Sequence, residues 1–162
     1  MKKFSTFKIG KVFEQEEIIE QDYDTNVTDM GEETHVSNAG KFFSKLFESR
    51  EMAHVYHLSV KGDMGSYAAH VALGAYYESI LEFIDELIEI YQGQYELVED
   101  FDMIDTTDTR TKSPIDYFQE LITFIKTYRN EYLSSEDTHL QNIIDEVVAL
   151  IYRTLYKLKY NK

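Results

Sequence analysis

The sequence predicts an all-α protein, a four-helix bundle with one long crossover connection and an N-terminal arm. Three observations carry that expectation. Apolar residues recur at helical spacing through four long segments. One proline and seven glycines in 162 residues leave few interruptions to helix. The turn signals between the apolar segments divide into two short connections and one long one, which sets the order of the helices.

The elements follow in order. Residues 1–39 place Lys2, Lys3, Lys8 and Lys11 before Glu14, Glu16, Glu17, Glu20, Asp22 and Asp24, in a polar stretch. Such a stretch reads as a charged arm able to dock on a protein partner or a neighbouring copy. The bundle occupies residues 40–162. Its first helix starts between Asn38 and Lys41 and runs to about Val60, with Phe42, Phe43, Leu46, Phe47, Met52, Val55, Tyr56 and Leu58 as its apolar face. Gly62 and Gly65 punctuate a turn, and Ser66 is the expected cap of a second helix that runs to Gln92 and stops at Gly93. On it, Tyr77, Ile80, Leu81, Ile84, Leu87, Ile88 and Tyr91 form the apolar stripe, beside an acidic stripe of Glu78, Glu82, Asp85 and Glu89.

Residues 94–112 form the long connection, with room for a short helix of their own. Ser113 and Pro114 mark the start of a third helix ending near Leu133. Ser134 and Ser135 restart the chain into a fourth helix, whose buried face is Leu140, Ile143, Ile144, Val147, Val148, Ile151, Leu155 and Leu158. Short, long and short connections give an up-down-down-up bundle, the ferritin-like arrangement.

Composition excludes several functions. A formal net charge of -14 and a pI near 4.7 oppose phosphate neutralisation, so binding to nucleic acid is not expected. With no cysteine there are no disulfides, thiolate ligands or cysteine nucleophiles. No apolar run of membrane-spanning length and no signal-peptide core is present, so a soluble protein is expected in the cytoplasm, or in a virion if phage-encoded. Gly-rich phosphate loops, nucleophile elbows and HExxH motifs are also missing. Thirteen tyrosines and ten phenylalanines with no tryptophan assign the core and interfaces to those rings.

The chemistry concentrates between residues 51 and 89. Three of the five histidines, His54, His57 and His70, lie there, followed by Asp85 and Glu89 one helical turn apart. Imidazoles and carboxylates gathered on adjacent helices are ligands for iron, manganese or zinc. His70 and Asp85 stand fifteen residues apart on one helix, a separation of about 22 Å along its axis. They do not reach one ion within a chain. Either they serve separate sites, or two copies share a site across a two-fold axis.

His57, the glycine at 62, His70 and the Asp85-x-x-x-Glu89 pair resemble the mini-ferritins of the Dps family over roughly residues 41–160, with the sharp motifs in 54–89. The resemblance implies a homo-oligomer whose ferroxidase centre lies at a two-fold interface. His57 and His70 of one subunit and Asp85 and Glu89 of its mate would bind iron, with His54 as a frequent further counterpart. It also implies Fe(II) oxidation by peroxide or oxygen and storage of the Fe(III) product. The departures are Leu58 in place of tryptophan, Gly74 in place of a further Asp, Ile90 in place of arginine, and a His57 to His70 gap one residue longer than usual. Glu51 and His54 also resemble the Glu-x-x-His motif of di-iron carboxylate bundles, without the second motif those need.

The rival expectation is a non-enzymatic interaction or assembly bundle, for example virion-associated, that keeps the fold without the chemistry. The acidic stripe is then a docking or solvated face, and His54 and His57 a surface pair.

Overall fold

Four helices form around the apolar stripes: α1 (Ala39–Ser59), α2 (Tyr67–Gln94), α3 (Pro114–Tyr132) and α4 (Thr138–Tyr160), with a 3-10 turn at Thr107–Arg110. The computed structural model describes residues 39–61 and 67–161. The expected arm, apart from Ala39, the Gly62 and Gly65 turn and the Ser66 cap lie outside the described residues. Among those residues there is no strand, and no helix is long and apolar enough to cross a membrane.

Each helix packs on two neighbours, α1 on α2 and α3, and α4 on α2 and α3. Contacts along the helices fix their directions. Phe43 meets Tyr91, Ser49 meets Tyr76 and His57 meets His70, so α1 and α2 are antiparallel. Arg129 meets Asp145 and Lys126 meets Tyr152, so α3 and α4 are antiparallel. The long connection then runs beside α1. The Asp100 carboxylate accepts from the Gly40 N–H at 3.2 Å, the Asp102 N–H donates to Ser44 Oγ at 2.8 Å, and Tyr56 donates to the Lys112 carbonyl at 3.0 Å. This return along α1 makes α3 run in the same direction as α2. Only glycine suits position 40, because a Cβ there would lie 2.4 Å from the Asp100 carboxylate and 2.7 Å from its backbone.

The caps explain where helices begin and end. Ser113 Oγ accepts from the Asp116 N–H at 3.1 Å while its hydroxyl donates to the Asp116 carboxylate at 2.7 Å, and Pro114 fills the first helical position. The second helix, expected to stop at Gly93, continues to Gln94, and the Tyr95 N–H still bonds the Tyr91 carbonyl at 2.9 Å. A Cβ at Gly93 would meet nothing, so the glycine neither breaks nor crowds the helix. The end of α2 is anchored to Asp137, the residue before α4. Its buried carboxylate accepts from Gln94 Nε2 at 2.7 Å and from the Tyr95 hydroxyl at 2.6 Å.

The core is aromatic at both ends. Tyr76, Phe42, Phe43 and Phe118 are fully buried, with Tyr76 edge-on to Phe118 at 4.7 Å and Phe43 edge-on to Tyr91 at 5.4 Å. The inward face of α2 is set by Tyr76, Ile80, Ile84, Leu87 and Tyr91. Tyr77, expected in that stripe, sits on its flank and is half-buried. Leu58, expected inside, is 71% exposed, because it lies two residues and about 200° beyond the buried Tyr56.

One buried polar contact locks the α1/α2 register. Ser49 Oγ donates to the Leu46 carbonyl at 2.6 Å and so accepts from the Tyr76 hydroxyl at 2.9 Å. Ser49→Ala strands that hydroxyl and should lower stability by about 1–3 kcal/mol, whereas Tyr76→Phe removes it and should cost about 0.5–1.5 kcal/mol. Urea unfolding ranks the two, and a larger loss for Tyr76→Phe would contradict the assignment.

A pH effect follows from Asp137. Burial favours its neutral form, but the bonds from Tyr95 and Gln94, aided by His139, outweigh burial and hold the carboxyl below its usual range. The Tyr95 phenol is pushed up to about 12, first by its bond to Asp137. A depressed carboxylate stabilises the fold above the unfolded-state value of about 3.9 and loses that contribution as pH falls through the folded-state value. The stability gap between wild type and Asp137→Asn should therefore shrink between pH 7 and pH 3. Denaturant titrations giving the same gap at both pH values would refute this.

Candidate functional site

The α1/α2 hairpin brings the histidines together at one end of the bundle. His54 and His57 stand on the last turns of α1, and His70 on the first turn of α2. His57 is half-buried and His70 exposed. Their rings stack, with centroids 3.7 Å apart and planes 23° from parallel. Each ring also reaches the other helix's backbone: His57 Nδ1 lies 2.8 Å from the His70 carbonyl, and His70 Nδ1 lies 3.2 Å from the His57 carbonyl. A carbonyl only accepts, so both Nδ1 atoms carry a proton, and in the neutral form of each ring the lone pair falls on Nε2. An Nδ1–H held by a backbone carbonyl is one of the two arrangements in which an imidazole ligates a metal, here through Nε2.

Two further residues complete the cluster. Tyr77 lies 4.5 Å from the His54 ring and edge-on to His57 at 5.4 Å. A Cβ on Gly74 would stand 3.3 Å from His57 Cε1 and Nδ1, so the bare backbone there makes room for the His57 ring. An Asp at this position, part of the mini-ferritin pattern, would press on the ring as it is placed here. His70, Gly74 and Tyr77 lie at i, i+4 and i+7 on one face of α2, a signal present in the sequence once His70 is singled out.

Asp85 and Glu89 lie elsewhere. Both are exposed on the acidic flank of α2 with Glu78, Glu82 and Glu86, and among the described residues none of the five joins an ion pair. Among the described residues, no three His, Asp or Glu side chains form a ready-made metal site. The structure thus assembles His54, His57 and His70 but not the carboxylates, as the fifteen-residue separation requires. His139 stands at the opposite end, with Nε2 2.7 Å from Gln94 Oε1, and Glu51 pairs with Arg50.

The donor set fits a divalent transition metal in chemistry and only partly in arrangement. Imidazole nitrogen suits iron or zinc. Lone pairs lie in the ring planes, however, and two nearly parallel planes separated by stacking distance do not meet within a metal-ligand bond length. Either ring alone can offer its Nε2; both serve one ion only after the stack opens.

These features define a helical-bundle protein with an imidazole cluster at one end and an acidic stripe along one flank. The chain belongs to a family of unknown function, DUF5856, whose model matches residues 57–158. The matched span contains His57, His70, Asp85 and Glu89 and leaves out His54. No curated protein and no solved structure matches the chain.

The tautomers are directly measurable. Long-range 1H–15N spectra at pH 8 should place the ring proton of both His57 and His70 on Nδ1. A proton on Nε2 of either ring would remove the argument that these imidazoles are poised as ligands.

Proposed function

We propose that this protein binds and oxidises Fe(II) as a homo-oligomer, with iron as substrate at a site shared between two copies. The observation that carries the reading is the reciprocal Nδ1 bonding of His57 and His70, which turns the Nε2 of each neutral ring outward as a ligand, with both reaching one ion once the stack opens. The helix directions support it, since antiparallel neighbours and a crossover along α1 are the ferritin-like arrangement. Leu58 and Tyr67, 71% and 82% exposed, flank the histidines in sequence and supply apolar surface that a second copy would cover. Asp85 and Glu89 of that copy would complete the ligand set. Their hard oxygens favour Fe(III), while the imidazoles hold Fe(II). Each Fe(II) gives one electron to a peroxide or to dioxygen, and the exposed acidic stripe draws cations toward the site.

A second reading is favoured by the stacking itself. Closed imidazole planes and a glycine at position 74 suit a non-enzymatic assembly bundle in which the histidine end is a protein interface. The two readings separate on one sample. The ferroxidase reading expects a large oligomer by light scattering that consumes Fe(II), with Asp85→Ala and Glu89→Ala abolishing the reaction at unchanged helix content, since both side chains are exposed. A wild-type monomer that neither binds nor oxidises iron would sink it, and a metal-free small oligomer would favour the assembly reading.

A further inference from the structure

The opposite end of the bundle holds a cavity of about 440 Å³ where the ends of α2 and α3 meet the turn into α4. That volume falls within the range of small-ligand pockets, about 300–1,000 Å³. Three tyrosines, Tyr91, Tyr95 and Tyr132, line it together with Glu96 and Glu131. Among the described residues, no lysine, arginine or histidine lines it.

The rings are held from behind. Tyr91 is buried and meets Phe43 edge-on at 5.4 Å, and Tyr132 stacks on Tyr128 at 5.6 Å. The Tyr95 ring lies 4.9 Å from that of Tyr91, and its hydroxyl donates to the Asp137 carboxylate. The tyrosine walls are therefore set before a ligand arrives, which lowers the cost of binding. Their chemistry selects the ligand. An aromatic face or a phenol oxygen attracts a weakly hydrated cation, and two carboxylates add negative charge. The C-terminal ends of α2 and α3 add their negative helix poles. Asn130, Ser134 and Ser135 also line the cavity and add neutral oxygen acceptors that suit an ammonium N–H.

We propose that this cavity binds a small alkylammonium ion, of the diamine or quaternary ammonium class. The site lies at the far end of the bundle from His54, His57 and His70 and does not depend on the iron reading.

The test uses the full chain, titrated with putrescine and with tetramethylammonium while sodium chloride holds ionic strength constant, followed by calorimetry and by NMR of the tyrosine rings. Saturable binding is expected, with shifts confined to Tyr91, Tyr95 and Tyr132. Glu96→Gln/Glu131→Gln, both exposed positions, should weaken it, and Tyr95→Ala should weaken it about 3- to 30-fold. Tyr95→Phe, which keeps the ring, should lose less than Tyr95→Ala. Equal affinity in wild type and in the glutamate double variant, or no saturable binding to protein with native helix content, would overturn the proposal.

Discussion

The antiparallel register of α1 against α2 is the constraint on which the rest of the structure depends. It is fixed at three levels: Phe43 against Tyr91, Ser49 bonded to Tyr76, and His57 stacked on His70. The middle level is the most demanding, because a buried hydroxyl accepts no alternative partner cheaply once water is excluded. A slip of one helical turn, about 5.4 Å, would leave Tyr76 without Ser49 and carry Gly74 away from His57. The imidazole pair and the aromatic end are therefore two consequences of one helix pairing.

The connection from α2 to α3 turns that pairing into a bundle. By running back along α1 it lets α3 start beside the α1 C-terminus and pack antiparallel to it. The Asp100 carboxylate accepts from the Gly40 N–H at the first turn of α1, where positive helix charge favours an acid. The close approach to Gly40 joins a local choice, a glycine in the first turn of a helix, to the course of a connection sixty residues away.

Much of the helical frame is legible in the sequence because its signals are local. Ser113 and Pro114 announce α3 through hydrogen bonds within four residues, and the apolar periodicity of α4 names most of its buried face. The impossibility of a single-chain site made of His70 and Asp85 is also legible, since it needs only the rise per residue. The rest depends on contacts between helices. Tyr76 and Tyr77 are adjacent in sequence, and which of them turns inward is decided by the angle at which α2 meets α1. The stacking of His57 on His70, the space Gly74 leaves, and the bonds that tie Gln94 and Tyr95 to Asp137 all require a register that no pattern within one helix specifies. The tyrosine cavity is less legible still, because its walls come from α2, the start of the connection after it, α3 and the turn after α3.

Charge sets the terms on which copies of this chain can meet. A net charge of -14 makes association repulsive, and the exposed acidic stripe from Glu78 to Glu89 concentrates that repulsion on one flank of α2. On the shared-site reading, the stripe of one copy faces the imidazoles of the other. An imidazole lone pair does not neutralise a carboxylate, so a cation entering between them is what joins the two surfaces. Cation binding and association are then linked, each favouring the other by the same free energy. An assembly bundle without metal lacks that coupling and must place the acidic flank toward solvent or a basic partner. The position of one flank of α2 in the assembled protein therefore decides between the two readings.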